Sequence, residues 1–559
     1  MKLFLTSITL FCMLTWTGSC VAAPDRVSDF ALLDQTGEFH QLSRYRHRTA
    51  LVLMSWSDDC ATMSGHVEQL SALRDQWRDR GFEFILLDTG NQDRDALRRT
   101  TTGFPILDDE VQVVARSLNI SHAGEVLVLN PDRLAVYYRG PLHEQLDTAL
   151  GAVAEQEGIE ETVNLSLDGC PVDYSASLAD STAPDYSTEV APIIVDKCIE
   201  CHRRDGVGPF ALDSHVMVMG WSPMIREVLL NKRMPPTQVD PHIGFSADAR
   251  YLSEKELETL VHWIDSGAPR GEGTDDPLER EYHTDPHWSL GEPDMIVQGP
   301  ANEVPPTGVM DYIYVNVELP FDTGKWVRAV QYKAGDESVL HHLMTYVTAP
   351  GEDFFGPERN ETSVTRRFLS GYAPGDITAL EFPQGTGVLI PAGHRLSMQF
   401  HYVTNGRATV DETQLGLYFY DQPPGKEYLT QAVSERFVIA PGDPDHHIEA
   451  EHTFDGDVVI TGLRAHMHFR GKRMKFSMER EDGSWQDLLS IPAYNYGWQP
   501  QYQLHTPVRV PAGTRIRVNG AFDNSESNPN NPDPAKEVPF GLDSWDEMFS
   551  GYLSFYAAD

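Results

Sequence analysis

Arg464-Ala465-His466-Met467-His468 is the stretch whose reading decides the fold. It has the character of a β-strand, and in a strand alternate side chains share a face, so His466 and His468 point the same way. Working outward, three more motifs of the same kind appear: Val339-Leu340-His341-His342, Gln399-Phe400-His401-Tyr402 and Asp546-Glu547-Met548. Each sits in a strand-like run bounded by Gly, Pro, Asn and Asp. From His283 to the C-terminus strands and turns alternate with hardly any helical pattern. This predicts two all-β, jelly-roll-like sandwiches, at 283–422 and 423–559, divided near Asp421-Gln422-Pro423-Pro424-Gly425.

Imidazole suits copper, and a thioether adds the soft donor that Cu(I) favours. Two His-rich sites, one of them with a Met, point to a metal that cycles between Cu(II) and Cu(I). Taken singly the motifs say less. A His-His pair is commonly two surface histidines, HxH also serves zinc and cupin sites, and a lone Met is commonly filler. The cupin reading lacks the glutamate that should follow the HxH.

In this order the four motifs resemble the copper type II, ascorbate-dependent monooxygenases, the peptidylglycine and dopamine hydroxylase family. The resemblance implies that His341, His342 and His401 hold one copper. It implies that His466, His468 and Met548 hold the second, at which O2 is activated. The implied reaction hydroxylates an aliphatic C–H and reduces the other oxygen atom to water with two electrons. In the peptidylglycine branch an Arg two residues before the HxH and a Tyr four residues after the Met hold a substrate carboxylate. Arg464 and Tyr552 stand at those offsets, but the intervening Asn of the family is Ser550 here. The alternative for Arg464 is a pair with one of the chain's own carboxylates. No cysteine lies beyond Cys201, so this half lacks the disulfides of the animal enzymes.

Cys198-Ile199-Glu200-Cys201-His202 is a C-x-x-C-H haem-attachment pattern. Two thiols one turn apart reach both vinyls, and the adjacent His lies under the iron. Val190 to Lys197 supplies the short preceding helix. Met234, in Lys232-Arg233-Met234-Pro235-Pro236, is the candidate second axial ligand, because the prolines keep it out of a regular helix. Met217, Met219 and Met224 are rivals that read as core or loop residues. Ser253 and Glu256 form a capping box, Leu257, Leu260, Val261 and Ile264 keep helical spacing, and Gly267 with Pro269 ends the helix. The run 183–272 resembles the small all-α cytochrome c domains of bacterial multidomain proteins. The alternative for the motif is a redox or zinc-binding cysteine pair.

Residues 24–165 read as α/β: a strand at Thr49 to Trp56, a helix through Val67, Leu70, Leu73 and Trp77, a strand at Phe82 to Asp88, and a hairpin around Asn130-Pro131-Asp132. This order resembles the thioredoxin and peroxiredoxin superfamily, with Cys60 at the place of the active cysteine. Cys60-Ala61-Thr62-Met63 lacks a second cysteine, and Gly124 stands where the family has a cis-proline. Asp58 and Asp59 would raise the thiol's pKa. Cys60 is therefore a candidate redox thiol, a structural residue, or a disulfide partner of Cys170.

The 559 residues suggest roughly three to five domains. The net charge of −39 disfavours nucleic acid and anionic membrane surfaces as partners. Met1 to Ala22 reads as a secretory signal (1–22), predicting an exported, periplasmic or secreted protein. Thr17-Gly18-Ser19-Cys20 is a poor lipoprotein box, which disfavours a lipid anchor at Cys20. No other run is long and apolar enough for a membrane helix. No internal repeat, P-loop or dinucleotide fingerprint stands out, and His446-His447, in an acidic loop, reads as surface.

The expectation is a multidomain copper monooxygenase carrying two copper ions and one covalent c-type haem. It would use O2, a small-molecule or peptide substrate and a periplasmic electron donor. Two rivals stay open: a non-catalytic electron-transfer or copper-handling protein, and a haem-fed thiol peroxidase. Cys60→Ser would abolish the last and spare the copper chemistry.

Overall fold

The computed structural model describes residues 26–155, 169–174, 182–204, 206–236, 239–244, 249–273, 275–281, 288–352, 368–374, 378–541, 543 and 545–559. The signal-like segment and Cys20 lie outside the described residues. Among the described residues no helix is long and apolar enough to cross a membrane.

The N-terminal sheet has five strands, in the order Ile106–Leu107, Phe82–Asp88, Ala50–Trp56, Glu125–Asn130, Ala135–Pro141. Ala50–Trp56 runs parallel to Phe82–Asp88 and antiparallel to Glu125–Asn130. Both faces are covered, which is why this strand is apolar without alternation. Val52 and Met54 pack with Leu70 and Trp77 of helix Met63–Trp77 and with Leu146 and Leu150 of Glu144–Ala154. Leu51 and Leu53 pack with Val114 and Ala115 on the opposite face.

A small helical unit follows, with helices Ala191–Lys197, His215–Leu230 and Glu254–Asp265 around Tyr186 and Trp263. The Ser253–Glu256 capping box is formed. The reading of Met217, Met219 and Met224 as core or loop residues is corrected: they lie on helix His215–Leu230, at 36%, 43% and 43% exposure. The buried stripe of that helix runs instead through Val218, Ser222 and Val228-Leu229-Leu230.

The remainder is β-rich, with several sheets. One hydrogen-bonded path joins Tyr502–Val510, Val458–His466, Ser550–Ala557, Lys426–Ser434, Thr386–Ile390, Lys325–Lys333, Gln414–Phe419 and Met295–Gln298. Its only parallel step, Thr386 against Lys426 and Gly387 against Glu427, links the earlier and later strands. A four-stranded sheet built on Leu340–Thr348 and Arg395–Tyr402 shares one apolar core with the later strands of the path. A second, built on Gly471–Glu479 and Arg515–Phe522, shares another core with its earlier strands. His446-His447 opens the strand His446–Thr453 rather than lying in a loop. The alternation that carries it is buried Ile448 and Ala450 between exposed His447, Glu449 and Glu451. The surface reading stands for His447, which is 70% exposed and paired with Asp445.

The N-terminal sheet and the helical unit are not strung loosely. Arg94, 4% exposed, bonds Asp108 at 2.8 Å and Asp240 at 2.9 Å, while Asp240 N–H donates to the Ser490 carbonyl at 2.9 Å. A buried guanidinium of this kind needs both carboxylates, since removing either leaves an unpaired charge.

Candidate metal centre

Consecutive residues of a regular strand face opposite ways, so His341 and His342 should diverge. They do not, because Leu340 pairs with Tyr402 and His342 with His401, leaving His341 as the extra residue of a β-bulge. The bulge turns His341 back beside His342, and the cross-strand neighbour His401 completes the group. Their ligand atoms all lie within 4.8 Å of one another. His341 Nδ1 stands 3.0 Å from His342 Nδ1 and 3.2 Å from His401 Nδ1. A metal ion about 2.0 Å from each nitrogen in a tetrahedral shell separates its ligands by about 3.3 Å. Hydrogen bonding of His341 to the Gly497 backbone supports the tautomer in which Nδ1 is the free lone pair.

His466 ends strand Val458–His466, with Met467 buried in the core and His468 back on the His466 side. Three side chains hold this segment. The Tyr494 hydroxyl accepts from Met467 N–H at 2.9 Å and donates to Met467 O at 2.6 Å. Glu547, fully buried, accepts from His468 N–H at 2.8 Å and Arg470 N–H at 2.6 Å. His466 Nδ1 meets Gln499 Oε1 at 2.6 Å, and His468 Nδ1 meets the Asp546 carbonyl at 3.1 Å. Both acceptors fix a proton on Nδ1 and leave Nε2 as the ligand atom. Burial drives all five imidazoles toward the neutral, ligating form: His341 and His468 to about 4, His401 and His466 to about 3, and His342 well below its ordinary value.

Burial pushes the Glu547 carboxyl up to about 8, against the pull of its backbone N–H donors and of the Arg470 charge. Glu547→Ala would strand two buried donors at about 1–3 kcal/mol each. It is expected to lower unfolding free energy by roughly 2–5 kcal/mol in a denaturant melt and to weaken any copper binding at His466 and His468 by about 10–100-fold in titration. An unchanged melt would contradict the clamp.

Tyr496 stands between the two groups. Its ring centroid is 6.1 Å from His341, 5.9 Å from His401 and 6.2 Å from His468, and its hydroxyl is 3.0 Å from that of Tyr312. A cavity of about 500 Å³ is lined by His342 from one group and by His466, His468 and Met548 from the other. Arg464 and Tyr552 line it too. The Arg464 guanidinium lies between the Phe368 and Tyr552 rings, at 4.8 and 4.6 Å, and donates to Met344 Sδ at 3.3 Å. Among the described residues its contacts are these rings and the Met344 sulfur rather than a carboxylate. Sequence reasoning missed Tyr494, Tyr496 and Gln499; the aromatic run Tyr494-Asn495-Tyr496-Gly497-Trp498 was the available signal.

In the helical unit, Cys198 and Cys201 form no disulfide among the described residues. Burial pushes the Cys198 thiol up to about 12. His202 Nδ1 meets the Phe210 carbonyl at 3.1 Å, which fixes the ring beside Cys201. Met234 is 37% exposed just beyond helix His215–Leu230. These features fit an attached haem.

Cys60 is no free thiol. It is bonded to Cys170, with Cα atoms 5.7 Å apart. Segment 170–172 lies along the loop before the hairpin, with Ala123 N–H donating to Cys170 O at 2.8 Å and Val172 N–H to Ser121 O at 3.0 Å. Gly124 accepts a φ of +88° there, and a Cβ at that position would sit 2.6 Å from His66 Nδ1.

Residues 23–137 match the model of the AhpC/TSA family. With the sheet order above, this makes the N-terminal region a thioredoxin-like α/β domain. No curated protein matches the chain. Similar solved structures include a peroxidoxin, BcpB, from Mycobacterium tuberculosis, 20% identical over 24% of this chain and 97% of that one, with a TM-score of 0.20. The thioredoxin domain of a thiol-disulfide oxidoreductase from Bacteroides vulgatus is 16% identical over 24% and 99%, with a TM-score of 0.20. A hypothetical protein from Sinorhizobium meliloti 1021 is 20% identical over 31% and 98%, with a TM-score of 0.25.

Proposed function

We propose that this chain is an exported copper-dependent monooxygenase that hydroxylates an aliphatic C–H with O2, drawing its electrons through a c-type haem of its own. The observation that carries this reading is one cavity lined by His342 of the three-histidine group, by His466 and His468, whose Nδ1 atoms are held by Gln499 and the Asp546 carbonyl, and by Met548. The balanced reaction converts R–H, O2, two electrons and two protons into R–OH and water. Copper in these donor sets supplies one-electron redox steps and O2 activation. Haem on Cys198, Cys201 and His202, with Met234 as second ligand, supplies electrons singly.

The chain's own residues do the rest. His341, His342 and His401 hold one ion, and His466, His468 and Met548 hold the other beside the substrate. Gln499 and the Asp546 carbonyl keep Nε2 of the second pair turned inward. Arg464, sandwiched between aromatic rings on the cavity wall, receives an anionic end of a small molecule or peptide, with Tyr552 against it. Export is supported by the Cys60–Cys170 disulfide, which persists in an oxidising compartment. The AhpC/TSA match supports a redox ancestry for the N-terminal domain. With Cys60 bonded to Cys170, that domain serves this reading as scaffold.

The test is a reaction under 18O2 with copper-loaded protein, a reductant and small carboxylates bearing an aliphatic C–H next to the carboxylate. One labelled oxygen in the product per two electrons consumed is expected. Preferential filling of both sites by zinc from a mixed-metal medium, with no Cu(II) EPR signal after copper loading, would overturn the assignment.

A further inference from the structure

The haem-attachment loop is not remote from the imidazoles. Arg203, the residue after His202, is ion-paired with Glu337, four residues before His341, and both side chains are 15% exposed. Glu200, inside the Cys198–Cys201 spacer, is paired with Arg250. Both Glu200 and Arg250 line the cavity that His342, His466, His468 and Met548 reach. The following segment is seated on the later β half, where Val239 joins its core and Tyr251 packs against it.

We propose that the Arg203–Glu337 pair is a docking clamp. It holds the Cys198–His202 loop against the His341-His342 strand, and this face is the port by which single electrons enter the copper centre. The proposal rests on the monooxygenase reading for the identity of donor and acceptor, but the docking itself is a property of the chain. A tether alone raises the donor's local concentration without orienting it; a largely buried charge pair between the two segments fixes the register. With that register, a haem held by Cys198, Cys201 and His202 would give up one electron, and a copper ion held by His341, His342 and His401 would take it up. No bond is made or broken and no proton moves. Arg203 and Glu337 are positioning residues, because neither touches substrate nor serves as a ligand.

The test uses the full-length holoprotein, with Arg203→Glu, Glu337→Arg and the double swap. Reoxidation of the reduced haem is followed by stopped flow with copper present, alongside copper content, haem spectrum and hydrogen exchange. Each single variant is expected to reoxidise at least about tenfold more slowly, the scale of reversing one close cross-interface pair. The swap should recover most of that rate. Copper content and the reduced α-band should stay as in the unsubstituted protein, while exchange rises in 199–212 and 335–340 of the single variants only. Unchanged exchange and unchanged reoxidation in both single variants would overturn the clamp. If the unsubstituted protein shows no copper-dependent reoxidation at all, the monooxygenase reading fails, and the exchange data alone then decide the docking.

Discussion

Copper titration of the His466→Ala variant is expected to saturate at one equivalent per chain where the unsubstituted protein takes two, and hydroxylation to fall by at least about a hundredfold. The reasoning is geometric. On the proposed reading the second site is held by two imidazoles and one thioether, so the substitution would leave His468 and Met548 alone. It also strands the Gln499 amide oxygen now bonded to His466 at 2.6 Å. The three Nδ1 atoms of the first group belong to a different sheet and are untouched. His341→Ala is the mirror case, leaving His342 and His401 as two ligands and sparing the second ion. EPR after oxidation should show a different surviving Cu(II) signal in each variant. Loss of both equivalents from either single variant would refute two independent sites, making Tyr496, within about 6 Å of both groups, part of one coupled centre.

The strands that carry these ligands were legible because their residues are written in the period of a sheet. The HxH reading followed from that period alone, and the structure puts Met467 in the core between two inward imidazoles. The His-His pair was different. Alternation predicts that such neighbours diverge, and only the bulge between Leu340 and His342 brings them together. A bulge depends on the register with a strand some sixty residues away, which no local pattern encodes. The clamps show the same limit. Tyr494, Gln499 and Glu547 act through backbone atoms or a single imidazole across long sequence separations, and ordinary Tyr, Gln and Glu carry no mark of it. Cys60 was legible as a question, since its partner Cys170 lies 110 residues away. The exposed methionines of helix His215–Leu230 were misread for a related reason. Hydrophobic residues imply a buried face, but not what buries it.

That exposed face leads to the second large effect. Of twelve exposed large hydrophobics among the described residues, five fall between positions 216 and 234: Val216, Met217, Met219, Met224 and Met234. An apolar concentration of this kind on a small helical unit marks a surface that something covers. A haem attached through Cys198 and Cys201 is large, flat and apolar, and it would supply such a cover. Protein made in a host with haem-attachment machinery should therefore keep one haem per chain through acid denaturation and show a sharp reduced α-band. Cys198→Ser with Cys201→Ser should abolish the retained haem. The loss is expected to destabilise the helical unit by at least about 3 kcal/mol, since fully burying each such side chain contributes roughly 1.5–3 kcal/mol. A melt followed by helical circular dichroism reads this directly, with the β-rich part as internal reference. Met234→Ala should keep the haem and lower its potential, because a thioether ligand raises it. Haem that leaves the unsubstituted protein on denaturation would refute covalent attachment, and a double variant as stable as the parent would mean that something else covers the methionines.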